Sequence, residues 1–119
     1  MSKYRDKSDF EINKAVAEEL IQSGFIIGVE YHDKHILVMD KYANNYPFDP
    51  CNNPADAMPI IIENKICMAY DVFAEERDGG NWVAQPAYGF SDERVRSDSY
   101  YRAAMICFLM MKDAENEKS

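Results

Sequence analysis

An α+β fold is the class this sequence predicts, and three observations predict it. An apolar stripe at helical spacing follows a capping box at Ser8, two pairs of β-rich runs are each joined by turn residues, and an alanine- and methionine-rich segment of helical character closes the chain. The expected order is helix, β-hairpin, central turn with a short helix, β-hairpin, helix. The strands are expected to form one mostly antiparallel four-stranded sheet with the helices packed on it. At 119 residues the chain is read as a single domain, 1–119, able to bury roughly two thirds of its unfolded surface without staples. Residues 1–7 and 113–119 are expected to fray.

The opening helix begins at Ser8-Asp9-Phe10-Glu11, where the serine hydroxyl and the glutamate three residues on satisfy each other's backbone donors. Ile12, Ala15, Val16 and Leu20 then share one face, and Gly24 ends the helix as a left-handed residue. Phe25–Tyr31 and His35–Lys41 are β-rich, and Asp33-Lys34 makes the tip of a hairpin between them. The loop YANNYPFDPCNN follows. Its Asn44-Asn45 and prolines are turn chemistry, while Tyr42, Tyr46 and Phe48 either pin it to the core or line a binding surface.

The centre of the chain is FDPCNNPADAMPIII, from Phe48 to Ile62. Asn53 is placed to cap a helix whose first residue is Pro54, and Asp56 falls in the first turn, where an acid favours the positive end of the peptide dipoles. Pro59 removes a hydrogen bond from any continuous helix. The segment is therefore expected to divide into a tight turn over Asn53–Met58 and a short helix from Pro59 to Asn64.

The second pair of strands is expected over Lys65–Glu76 and Asn81–Tyr88, joined by the tight turn Asp78-Gly79-Gly80-Asn81, with Trp82 just beyond it. Pro86 makes the later strand an edge or ends it. A polar loop is expected over Gly89–Arg96. The last helix starts near Ser97 or Asp98 and carries Tyr101, Ala104, Met105, Phe108 and Met111 on one face. Ala103, Ile106, Leu109 and Met110 make the opposite face apolar too, so both sides need a cover. The cover is the central loop or the first helix, or else a second chain in a homodimer through Ala103, Ile106, Leu109 and Met110.

Composition bounds the function. A net charge of −8 argues against direct nucleic-acid binding, which rests on phosphate neutralisation by lysine and arginine, and the small basic clusters Lys3–Lys7 and Arg94–Arg96 are interleaved with acids. The acidic surface suits solubility, or a basic partner. Cys51, Cys67 and Cys107 are an odd, scattered set with no C-x-x-C pair, which fits a reducing compartment and neither a zinc site nor a redox pair. His32 and His35 flank a hairpin tip without a third ligand, so no metal is expected. MSKYRDKSDF has no apolar signal region and Ala103–Met111 is far shorter than the ~20 residues that cross a bilayer, so no membrane association is expected. No cofactor is expected, and no catalytic residue: phosphate-loop, dinucleotide and metalloprotease motifs are missing, as is the serine-hydrolase elbow, and nothing local marks Cys51 as an activated nucleophile.

SDFEINKAVAEEL at the start, FDPCNNPADAMPIIIENKI in the middle and YYRAAMICFLMMKDA at the end resemble the NinX-like family of small tailed-phage and prophage proteins. A looser similarity extends to the small phage domains called ABA sandwiches. The match spans most of Ser8–Ala114. Met58 stands where such proteins commonly have tryptophan, and Phe25–Tyr46 follows no family pattern. The resemblance implies a phage-encoded accessory protein in the host cytoplasm and implies no reaction.

Three functional readings follow. In the first, the protein binds a host protein, such as a defence or DNA-processing factor. In the second, it is a sponge for a small nucleotide-like immune signal, and in the third a small enzyme with an unrecognised site. The candidate ligand- or partner-binding residues are Tyr46, Asp49, Asn52, Asn53, Asp56 and Trp82. The asparagines and free N–H groups of the central turn would meet a polar or anionic group, and Tyr46 or Trp82 would stack on a base. Capping alone is the competing account of Asn52, Asn53 and Asp56.

Overall fold

The computed structural model describes residues 4–87 and 94–117. The strand end expected at Tyr88, the loop expected from Gly89 up to Glu93, and residues 1–3, 118 and 119 lie outside the described residues. Helix α1 (Asp9–Ser23) has the expected capping box, with Glu11 N donating to Ser8 Oγ at 3.2 Å and Ser8 N to Glu11 Oε1 at 3.3 Å. Gly24 closes it at φ 85°. Strands β1 (Gly28–His32) and β2 (His35–Met39) pair antiparallel with His32 opposite His35, so Asp33 and Lys34 do form the tip.

One four-stranded sheet was expected, and the strands instead form two three-stranded antiparallel sheets. The extra strands come from segments read as loops. β3 (Asn45–Pro47) pairs with β2, Tyr46 opposite Val38. In the second sheet, β4 (Ile66–Tyr70) pairs with β5 (Trp82–Pro86), and β5 pairs with β6 (Val95–Ser97). Both added strands are three residues long, too short to show alternation. Each hairpin thus takes its third strand from a neighbouring loop, and the two sheets pack on different helices: the first touches α1, the second α3 (Tyr100–Glu117). Pro86 is the last residue of a central strand, ending it rather than marking an edge.

The break expected at Pro59 is absent. α2 is one helix, Pro54–Glu63, capped by Asn53, whose side chain accepts from Ala55 N at 3.0 Å. The proline is tolerated because it and Ala55, the residue whose carbonyl loses its partner, both lie on the exposed face where water satisfies the freed oxygen. The second hairpin also differs from expectation. β4 stops at Tyr70, and the connection runs from Asp71 to Asn81 through a 3-10 turn, Glu76–Asp78. Asp71 Oδ1 accepts from Phe73 N at 2.9 Å, turning the chain out of the strand, while Asp71 N donates to Asn81 O at 2.8 Å and closes the base of the loop.

α3 is the pillar of the core. It touches α1, α2 and all three strands of the second sheet, and every residue from Ala103 to Leu109 is buried. Of the face considered for a homodimer, Ala103, Ile106 and Leu109 are no more than 3% exposed, packed within the chain, while Met110 is half-buried. The helix begins after Ser99, whose carbonyl accepts from Ala103 N at 3.0 Å and whose Oγ accepts from Arg102 N at 3.3 Å. Ser97, one of the two expected caps, instead ends β6. The helix also continues past Lys112 to Glu117, where a solvated tail was expected, and Tyr4 Oη donates to Asp113 Oδ2 at 2.7 Å.

Candidate functional site

The central turn is a hydrogen-bonded corner. Asp49 N donates to Asp56 Oδ2 at 2.9 Å, bracing the turn against the start of α2. Asp49 Oδ1 in turn accepts from Asn13 Nδ2 at 2.7 Å and from Asn52 Nδ2 at 3.1 Å. Asn13, buried in α1, uses its other end to accept from Cys51 N at 3.0 Å. Asn52 Nδ2 also approaches Asp9 Oδ2 at 3.3 Å, and Asp9 Oδ1 accepts from Arg102 Nη1 at 2.7 Å. The corner therefore joins α1, the central turn and α3. Burial pushes the Asp56 carboxyl up despite the stabilising N–H of Asp49.

The candidate residues do not converge on one place. Asp49 and Asn52 line an open cleft of about 470 Å³ with Lys34 and the start of β2 at His35, whereas Tyr46 and Asp56 line a smaller groove of about 190 Å³ beside Phe25, Pro59 and Ile60. Asn53 lines neither and caps α2. Trp82 belongs to the other sheet, sandwiched edge-on between Tyr70 and Tyr100 with ring centroids 4.9 Å away on each side. Tyr46 and Trp82 do not face a common ligand from these positions. Of the loop aromatics, Phe48 is buried and pins the chain, while Tyr42 is exposed.

A further cleft among the described residues was not foreseen. It measures about 590 Å³, opens at the start of α3, and is lined by Arg5, Arg94, Arg96 and Arg102 together with Ser97, Ser99, Asp78 and Asp98. Arg102 Nη2 donates to the carbonyls of Lys7 at 2.6 Å and Arg5 at 3.2 Å, which fastens the N-terminal turn to α3 and sets Arg5 at the rim. Arg96 Nη2 donates to Asp71 Oδ2 at 2.9 Å and Nη1 to Gly80 O at 3.3 Å, fastening the loop after β4 to β6. The four arginines come from the N-terminal turn, the approach to β6, β6 itself and α3; three of them belong to the small basic clusters Lys3–Lys7 and Arg94–Arg96, and only the fold brings these together with Arg102. Asn13 had a legible signal: a lone amide on the apolar stripe of an amphipathic helix needs a buried partner.

The Arg96 guanidinium holds the Asp71 carboxyl below the usual range, helped by Phe73 N–H. A carboxyl whose folded value is depressed adds stability that is fully present above about pH 4, the unfolded value, and is lost as pH falls through the lower folded one. Acid unfolding curves of the wild type and Asp71→Asn should therefore converge as pH drops below about 4. Parallel curves down to pH 2 would remove this pair from the account.

Among the described residues no group of three histidine, cysteine, aspartate or glutamate side chains is arranged to hold a metal ion. His32 lies on the exposed hairpin with Glu30 at 3.3 Å. Cys51 is buried, and desolvation pushes its thiol up to about 12, the reverse of an activated nucleophile. No helix among the described residues is long and apolar enough to cross a membrane.

A search of curated proteins and a search of solved structures each return no match. One family model does match, described as Bacteriophage P22, NinX, and it aligns with residues 3–112, taking in α1, both sheets, the central corner and most of α3. The arginine-lined cleft and the Asn13–Asp49 corner both fall inside that span, and the chain belongs to the NinX family of phage proteins.

Proposed function

We propose that this protein is a phage accessory factor that works by binding, without catalysis, in the host cytoplasm, and that its partner is a host protein such as a defence or DNA-processing factor. The observation that carries this reading is the apolar run at the end of β4. Tyr70, Val72 and Phe73 are 54%, 68% and 88% exposed, on an edge strand and the loop that leaves it. Side chains of this size left together in water lose the stabilisation that burial brings, about 1.5–3 kcal/mol for each large one, which docking against a partner recovers. Asp71, between them in sequence, is tied to Arg96, so the run is presented on an anchored base.

The test is affinity purification from infected host cells with the wild type and with Val72→Ser/Phe73→Ser. The substitutions are on the surface and should change stability by less than about 0.5 kcal/mol each. The wild type should retain one host protein in near-equal amount and the double variant should lose it. Recovery of the same proteins with both, or of none with either, would sink the reading.

A further inference from the structure

We infer that the cleft at the start of α3 binds a small phosphate-bearing molecule of about nucleotide size, gripped by Arg5 and Arg94 on a frame built by Arg96 and Arg102. In a chain of net charge −8, four guanidinium groups line one cleft. Two of them have structural partners, since Arg96 is paired with Asp71 and Arg102 with Asp9. Arg5 and Arg94 make no side-chain hydrogen bond or ion pair among the described residues, although Asp78 and Asp98 line the same cleft. Asp78 and Asp98 thus leave these two guanidinium groups with donors to spare, and the planar five-donor fork of arginine matches phosphate oxygens two at a time.

The frame is hydrogen-bonded within the chain itself. Arg102 holds the carbonyls of Arg5 and Lys7, so it places the Arg5 side chain beside Gly79, where even an added Cβ would come within 3.0 Å of Arg5 Nη2. Ser97 Oγ and Ser99 Oγ accept from backbone N–H groups at 3.1 and 3.3 Å, and neither hydroxyl donates its own proton among the described residues. Those protons are left for an acceptor in the cleft, next to the positive end of an 18-residue helix.

Size and charge together set the ligand class. About 590 Å³ is within the range of small-molecule sites and far more than one phosphate fills. Asp78 and Asp98 would repel a bare polyanion, and as acceptors they suit the hydroxyl or amino groups of a sugar or base attached to the phosphate. A nucleic-acid polymer needs an extended basic track, and the arginines here are gathered at one cleft on an acidic chain. The cleft meets the exposed run Tyr70–Phe73 only through the Asp71–Arg96 pair, and neither reading depends on the other.

Calorimetry and thermal melts at low salt with ADP, pyrophosphate and adenosine test the inference on the full chain. ADP should bind at one site and raise the melting temperature, pyrophosphate should bind more weakly, and adenosine should do neither. Arg5→Ala/Arg94→Ala should melt like the unliganded wild type, because Arg5 supports the fold through its carbonyl. The double variant should bind ADP on the order of a hundredfold more weakly, about tenfold for each guanidinium removed. No response to ADP or pyrophosphate at millimolar concentration overturns the site, as does equal binding by the double variant. Adenosine matching ADP overturns the phosphate, and pyrophosphate matching ADP overturns the nucleotide size.

Discussion

Gly80→Ala should destabilise the protein by about 2–5 kcal/mol, the sum of two costs that act at this position together. The first is conformational: Gly80 has φ 134°, in the region that residues with a side chain rarely adopt. The second is steric. A Cβ here would lie 2.2 Å from Ser97 C, 2.5 Å from Asp98 N and 2.5 Å from Ser97 O, all main-chain atoms that no rotamer change can move aside. The loop after β4 crosses the junction of β6 and α3 at this point, so room for a methyl group requires the loop or the junction to shift. For a chain of this length the loss corresponds to a fall in melting temperature on the order of 10–20 °C. Gly24→Ala is the control that separates the two costs, because Gly24 has φ 85° and nothing within 4 Å of an added Cβ. It should cost only the conformational part, about 1 kcal/mol. If the two variants melt together, the close approach is not what Gly80 provides.

Gly80 also shows where the sequence was legible and where it was not. Asp78-Gly79-Gly80-Asn81 reads as a tight hairpin turn, and the two glycines do have positive φ. They are used at the end of a longer loop instead, because Asp71 has already turned the chain out of β4 and is held by Arg96, a residue distant in sequence. Features with local causes were readable: the Ser8 capping box, the Gly24 stop, Asn53 with Pro54, and the Asp33-Lys34 tip each depend on residues within a turn of one another. Pro59 misled because its effect depends on which face of α2 meets water. β3 and β6 were missed because a three-residue strand exists only through its partner. The candidate site divides the same way. Asp49, Asn52, Asn53 and Asp56 were recognised as special, and they are, as a braced corner, while the two small basic clusters showed no site until tertiary contacts brought them to one cleft with Arg102.

Asn13→Ala should cost about 2–4 kcal/mol, and the reason lies in what it would leave behind. Asn13 is 5% exposed and uses both ends of its amide, accepting from the buried Cys51 N at 3.0 Å and donating to Asp49 Oδ1 at 2.7 Å. Alanine removes both partners at once, leaving a buried N–H with no acceptor and a carboxylate with one donor fewer. Each such loss costs about 1–3 kcal/mol. Asn13→Asp distinguishes this account from a simple packing defect. It is nearly isosteric and keeps an oxygen for Cys51 N, but it sets a second carboxylate against Asp49. Two acids this close share a proton, so the pair's folded pKa rises above the unfolded value. The sign follows: the stability of this variant is retained at low pH, where one acid is protonated and donates to the other, and is lost as pH rises through the raised folded value. Asn13→Asp should therefore melt well below the wild type at pH 7 and close the gap toward pH 5, whereas Asn13→Ala should fall short of the wild type by a similar amount at both. A gap for Asn13→Asp that does not change with pH would mean that the bond between Asn13 and Asp49 does not brace the corner.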